Sequence, residues 1–226
     1  MIPVLIALLG IVFSFAFLSF VAQSKMQFRT QCTTESIDLQ KKIINSERML
    51  FALNPISTTL KIIYQALELA RIAAMGYPLA LPPIEAAIRQ VTAIRQALDK
   101  LQKVIIKGAD ILINAETARI TFAMNANAYE TRDRWSYFLN SFFFVKPEGI
   151  PKFAVESDSD DVFPNYGLTK DYKRQQMVAY NWHLLFSTKS EPQQVLESRG
   201  LFEMACGATA DKGDKKWLVE IRKDKF

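Results

Sequence analysis

The chain predicts a mainly α protein: an N-terminal transmembrane helix continuing into a long antiparallel helical hairpin, with a small C-terminal α+β unit. Three observations carry this reading. No charged residue occurs from Ile2 to Ala22. Apolar residues recur at spacings of four and three through residues 56–74 and again through 84–115, the period of packed helices. After position 147 the texture changes to Pro, Gly and short alternating runs. With 226 residues, 50% of them hydrophobic, the chain can bury a real core, and 23% charged residues argue against several membrane spans.

The first element covers residues 1–23. At 1.5 Å per residue, Ile2–Ala22 is about 30 Å long, the hydrocarbon thickness of a bilayer. Ile2, Leu5, Leu8, Val12, Phe15 and Phe20 lie on it and are expected to meet membrane lipid. No basic segment precedes the run, and it exceeds the apolar core of a cleaved signal, so the reading is a retained single-pass anchor. Read literally, Lys25, Arg29, Lys41 and Lys42 on the C-terminal flank place the body in the cytoplasm. That rule is weakest when the N-terminal flank is one or two residues long. The even pair Cys32 and Cys206 suits an oxidising compartment instead, although two buried thiols would also account for it. The body is therefore read as extracytoplasmic, on a bacterial inner membrane.

The second element covers residues 24–134. Gln23 to Leu53 holds no helix breaker, and Asn54-Pro55 then interrupts it with a kink or a restart. Ile56, Leu60, Ile63, Leu67, Ala70 and Ala74 form one apolar seam. Gly76-Tyr77-Pro78 and Pro82-Pro83 mark the hairpin tip, at 76–83. Beyond it Ile94, Leu98, Leu101, Ile105, Gly108, Leu112 and Ala115 form the facing interhelix seam. The arms Lys25–Met75 and Ile84–Arg134 are equal in length, so the second should return to the membrane surface. Ile62, Leu69, Ile106 and Ile111 lie off the seams and widen the apolar face beyond what two helices cover.

The third element covers residues 135–226. Trp135, Tyr137 and Phe142 head an aromatic run flanked by Arg132, Arg134 and Lys146. It reads two ways, as an interfacial belt or as the first core element of the C-terminal unit. Residues 147–167 read as loop, Thr169–Leu185 as helix, and the tail as a β-hairpin of 201–208 and 216–222 turning at Asp211–Asp214. If the hairpin returns as expected, Cys206 comes within reach of Cys32.

Catalytic and cofactor signatures are missing from the sequence. His183 is the single histidine, so neither a two-histidine zinc protease motif nor a four-ligand structural zinc site can be assembled. No phosphate loop, dinucleotide fingerprint or nucleophile elbow occurs. The acids Asp158, Asp160 and Asp161 fail the calcium-loop spacing at Val162, Phe163 and Thr169. No cofactor, metal or catalytic group is expected, and the chain is not read as an enzyme. A net charge of +5 with interleaved acids fits contact with anionic lipid and not nucleic acid.

The stretch from Ile2 through Leu53-Asn54-Pro55, an apolar helix running straight into an amphipathic one, resembles the pilin and pseudopilin plan. More narrowly it is similar to the TadE/TadG-like minor pilins of bacterial tight-adherence pili. The chain departs from the pilin pattern in one respect: Gly10 is followed by Ile11-Val12-Phe13-Ser14-Phe15, with no Glu. The resemblance implies a membrane-anchored structural subunit of a pilus-like or secretion assembly that packs by its helices against other subunits. The alternative reading is a membrane-tethered sensor or adaptor binding a ligand or protein near Trp182, His183 and Trp217.

Overall fold

The computed structural model describes residues 2–135, 141–158, 162–186, 203–212 and 217–222. It is mostly helical. The helices are α1 (Ile2–Phe51), α2 (Asn54–Ala73), α3 (Leu81–Trp135) and a single turn, α4 (Tyr172–Gln175). The strands are β1 (Ser141–Gly149), β2 (Val155–Ser157), β3 (Tyr166–Leu168), β4 (Val178–Phe186), β5 (Glu203–Lys212) and β6 (Trp217–Arg222).

Local chemistry accounts for the helix boundaries. Pro3 occupies the first turn of α1, where a missing N–H costs nothing, and no further proline follows until Pro55. At the break, Leu53 N–H bonds to the Leu50 carbonyl (3.1 Å), tightening the last turn before α2 restarts with proline in its first turn. Between α2 and α3 lie two 3-10 turns, Ala74–Gly76 and Pro78–Ala80, on either side of an extended Tyr77 (φ −133°, ψ 85°). Pro82 and Pro83 then sit in the first turn of α3.

The chain folds as two units. The first comprises Met1–Gln40, Ala115–Pro151 and Met177–Phe226. Its sheet is antiparallel, in the order β1-β4-β5-β6. Phe28, Cys32, Ser36 and Leu39 of α1 are buried, as are Ile120, Met124 and Ala128 of α3. Between Pro147 and Gly149 the register slips by one residue, a β-bulge that an edge strand tolerates. Gly149 is required there: a Cβ would meet the Met177 carbonyl oxygen at 3.0 Å and Ala179 N at 3.3 Å.

Two expectations about these segments are corrected. Thr169–Leu185 is not a helix, because after the single turn α4 the chain forms strand β4. Val178, Ala179 and Tyr180 are all fully buried, so this central strand lacks the polar alternation that would mark it as β. Pro147 and Gly149, read as loop, belong to β1 for the reasons just given. The tail does pair as antiparallel strands, β5 with β6.

The second unit comprises Lys41–Asn114 and Lys152–Gln176. Leu60 of α2, Val91 of α3 and Phe163 form its apolar cluster, with Tyr64, Leu67 and Leu98 packed around them. The Tyr64 and Phe163 rings lie 5.5 Å apart, and the Arg95 guanidinium stands 5.9 Å over the Phe163 ring while donating to the Val162 carbonyl (3.2 Å). β2 and β3 pair antiparallel as a two-stranded sheet.

Candidate functional site

The first candidate surface is the N-terminal part of α1, which is long and apolar enough to cross a membrane. Leu5, Leu8, Val12 and Phe15 are exposed, with Phe15 at 74%. No side of this stretch is covered before Ala16 and Phe17, which are half-buried, and the first fully packed residue is Phe20, only 4% exposed. A helix that is apolar all round needs an apolar surrounding to cover it, whereas an amphipathic one needs only a core on one side. Ser14 does not spoil this surface, because its hydroxyl donates to the Gly10 carbonyl (2.8 Å) inside the helix. The Ile2 side chain lies outside the described residues.

From Phe20 onward α1 changes character. Ser24, Phe28, Cys32, Ser36, Leu39, Ile43, Glu47 and Leu50 are buried at spacings of four and three. Cys32 is joined to Cys206 of β5 by a disulfide, with Cα atoms 6.4 Å apart. The bond closes a loop of sequence separation 174 and lies inside the first unit, with Cys32 fully buried. Around it, Arg119 donates to Glu116 (2.8 Å) and to Glu35 (2.6 Å), bonds that hold its guanidinium well above the usual range. Asn127 donates to Gln31 (2.8 Å). Tyr180 is buried, and desolvation pushes its phenol up to about 12. Thr121 beside it eases the shift but turns its own proton to the Thr117 carbonyl (2.8 Å).

One device recurs in both units. In the first, Asn125 of α3 accepts from Val145 N–H (2.9 Å) and donates to the Val145 carbonyl (3.2 Å). In the second, Asn54 at the start of α2 accepts from Tyr166 N–H (3.0 Å) and donates to the Tyr166 carbonyl (2.8 Å). Each amide takes the place of a neighbouring strand, satisfying one donor and one acceptor on β1 or β3. Ser57 donates to the Pro164 carbonyl (3.0 Å), fastening the segment that leads into β3.

The second unit also holds a fully buried carboxylate. Glu47 accepts from the Tyr172 hydroxyl (2.8 Å) and from Gln176 Nε2 (2.7 Å), tying α1 to α4 and the residue after it. Buried carboxylates can act in proton transfer, but here both oxygens serve structural donors. Among the described residues no group of three His, Cys, Asp or Glu side chains is placed to hold a metal ion.

The structure brings together the two cysteines of the sequence reading. It divides the expected interhelix seam on α3. Leu98, Ile105 and Leu112 are half-buried, but Ile94 and Leu101 face outward, at 53% and 48% exposure. The buried row is instead Val91, Gln102, Ala109, Ile113, Thr117, Ile120, Met124 and Ala128. α3 carries two apolar rows of similar spacing, and spacing cannot say which turns inward. Trp135 ends α3 and Phe142 pairs in register with Leu185, but the side chains of both, and all of Tyr137, lie outside the described residues. So do the side chains of Trp182, His183 and Trp217.

Sequence reasoning missed Glu47, Asn54 and Asn125 as anchoring residues. A signal existed for Glu47, a carboxylate standing between Ile43 and Leu50 on an apolar stripe. The two asparagines carry none, because their partners are backbone groups of distant strands. Compared with protein-family models, with curated proteins and with solved structures, the chain matches none.

Proposed function

We propose that this protein is a single-pass structural subunit of a bacterial envelope assembly of the pilus-like kind, acting by helix packing with partner subunits. Ile2–Ala22 anchors it in the inner membrane and the body stands on the extracytoplasmic side. In this reading α1 with α2 forms one arm of a helical hairpin and α3 the other, turning at 76–83. The observation that carries it is the change along one unbroken helix, from exposure on every side up to Phe15 to a packed stripe from Phe20 onward. Such a helix couples a lipid-facing anchor rigidly to a folded body. The buried disulfide supports the extracytoplasmic placement, since such bonds persist in oxidising compartments.

The test uses Leu79, which is 96% exposed in the tip turn. Leu79→Cys should react with a membrane-impermeant maleimide in intact spheroplasts, and the protein should migrate in native gels of gentle detergent extracts well above its monomer mass. Labelling that waits for lysis would put the body in the cytoplasm and favour the adaptor reading. A monomer free of partners would sink the subunit reading.

A further inference from the structure

Within the second unit, α3 presents an outward row that the described residues leave open. Ile94, Ala97, Leu101, Val104, Gly108 and Ile111 follow one another at spacings of three and four, the 3.5-residue period of a coiled-coil seam. All six are exposed, Val104 at 65% and Ile111 at 70%. At 1.5 Å per residue the row is about 25 Å long. The inner side of α3 is already engaged through Gln102, Ala109 and Ile113, so the outer row is additional to the packing of the second unit.

Two features say what would cover it. Ala97 and Gly108 leave hollows in the row, and a Cβ built on Gly108 would meet nothing within 4 Å. Hollows between large aliphatic knobs receive the knobs of another helix, whereas a bilayer gains nothing from them. The second feature is charge. Lys100 and Lys107 are exposed one heptad apart along the open flank, and no side-chain acid pairs with either among the described residues. Lys103, between them, is already paired with Asp99 (2.7 Å), and Asp110 stands one row further out. A second copy of this chain would bring Lys100 and Lys107 against their own counterparts if antiparallel, and against the apolar Leu98 and Ile105 if parallel. Neither arrangement supplies a countercharge.

We propose that this row is the docking seam for an amphipathic helix of a different subunit, whose apolar stripe is flanked by acidic residues at heptad spacing. The proposal rests on the structural-subunit reading and names the face and the chemistry of the partner. Glutamates on the incoming helix would meet Lys100 and Lys107, which sets partner choice in coiled coils.

The experiment places an environment-sensitive fluorophore on Val104→Cys of the full chain in detergent, the native cysteines being held in their disulfide. The probes are a synthetic four-heptad peptide with Ile and Leu in its seam and Glu on its flanks, and its counterpart with Lys on the flanks. The acidic peptide should give a saturable blue shift with an affinity at least tenfold tighter than the basic one. Lys100→Glu with Lys107→Glu should invert that order, and Leu101→Glu should abolish binding while the thermal midpoint stays unchanged. The proposal is overturned if neither peptide binds, if both bind equally, or if Leu101→Glu leaves binding intact. It is also overturned if the shift comes from raising protein concentration alone, meaning a second copy. A shift on adding vesicles of equal phosphatidylglycerol and phosphatidylcholine would overturn it too, in favour of lipid. Failure here while wild-type protein still migrates in a large native complex removes this face as the seam and leaves the subunit reading standing.

Discussion

The two units solve the same problem with different means. Each must hold a small antiparallel sheet against long helices, and each does so with an asparagine amide that clips one strand residue at both its N–H and its carbonyl. The first unit adds a covalent bond and a four-stranded sheet in which Val178, Ala179 and Tyr180 of β4 and residues 206–210 of β5 are buried. The second has a two-stranded sheet of three-residue strands, and relies on a buried carboxylate and the Phe163 cluster. An isolated pair of such short strands is marginal at best, so its order must come from the side chains that hold it to the helices. The first unit should therefore fail when one bond is removed, and the second by degrees.

The largest expected effect follows from the disulfide. Replacing Cys32 and Cys206 by serine should cost about 3–5 kcal/mol, as expected for a cross-link closing a long loop. Hydrogen exchange should rise sharply in peptides from β4 and β5 while those from β2 and β3 stay protected. Equal loss in both units would mean that they do not stand independently. The next effect belongs to the second unit. Glu47→Leu removes the acceptor for the Tyr172 hydroxyl and the Gln176 amide inside the core, and should cost about 2–4 kcal/mol. Glu47→Gln, which keeps one acceptor oxygen, should lose about half as much. Denaturant melts of both variants measure this, and an unchanged midpoint in Glu47→Leu would show that the clasp carries no stability.

The smallest effects sharpen the comparison most. Asn125→Ala and Asn54→Ala each strip a strand of a donor and an acceptor partner, worth about 1–2 kcal/mol apiece. The consequences should differ in extent. β1 keeps its pairing along β4, so Asn125→Ala should raise exchange only around Val145. β3 has only three residues paired with β2, so Asn54→Ala should expose both strands together. A uniform response to the two substitutions would argue that the disulfide and the wider sheet add nothing local.

How much of this was legible in the chain varies element by element. The unbroken first helix, the restart at Asn54-Pro55, the helix break at Gly76–Pro83 and the paired terminal strands follow from proline, glycine and alternation, which act within a few residues. β4 was not legible. A strand buried on both faces reads as a continuous apolar run, and with Tyr172 and Met177 nearby that run reads as a helix. The bulge in β1 was hidden for the opposite reason, because Pro147 and Gly149 signal loop unless the strand lies at an edge.

By itself the sequence determined the apolar N-terminal helix, the mostly helical body and the breaks between the long helices, since these depend on composition and on the local rules of proline and glycine. It brought Cys32 and Cys206 into consideration without deciding whether they pair. Only the tertiary structure joined them, chose Gln102, Ala109 and Ile113 over Ile94 and Leu101 as the inward row of α3, and matched Asn54 and Asn125 to their strands. Those decisions depend on contacts between residues twenty to 174 positions apart, and periodicity along one helix is degenerate with respect to them.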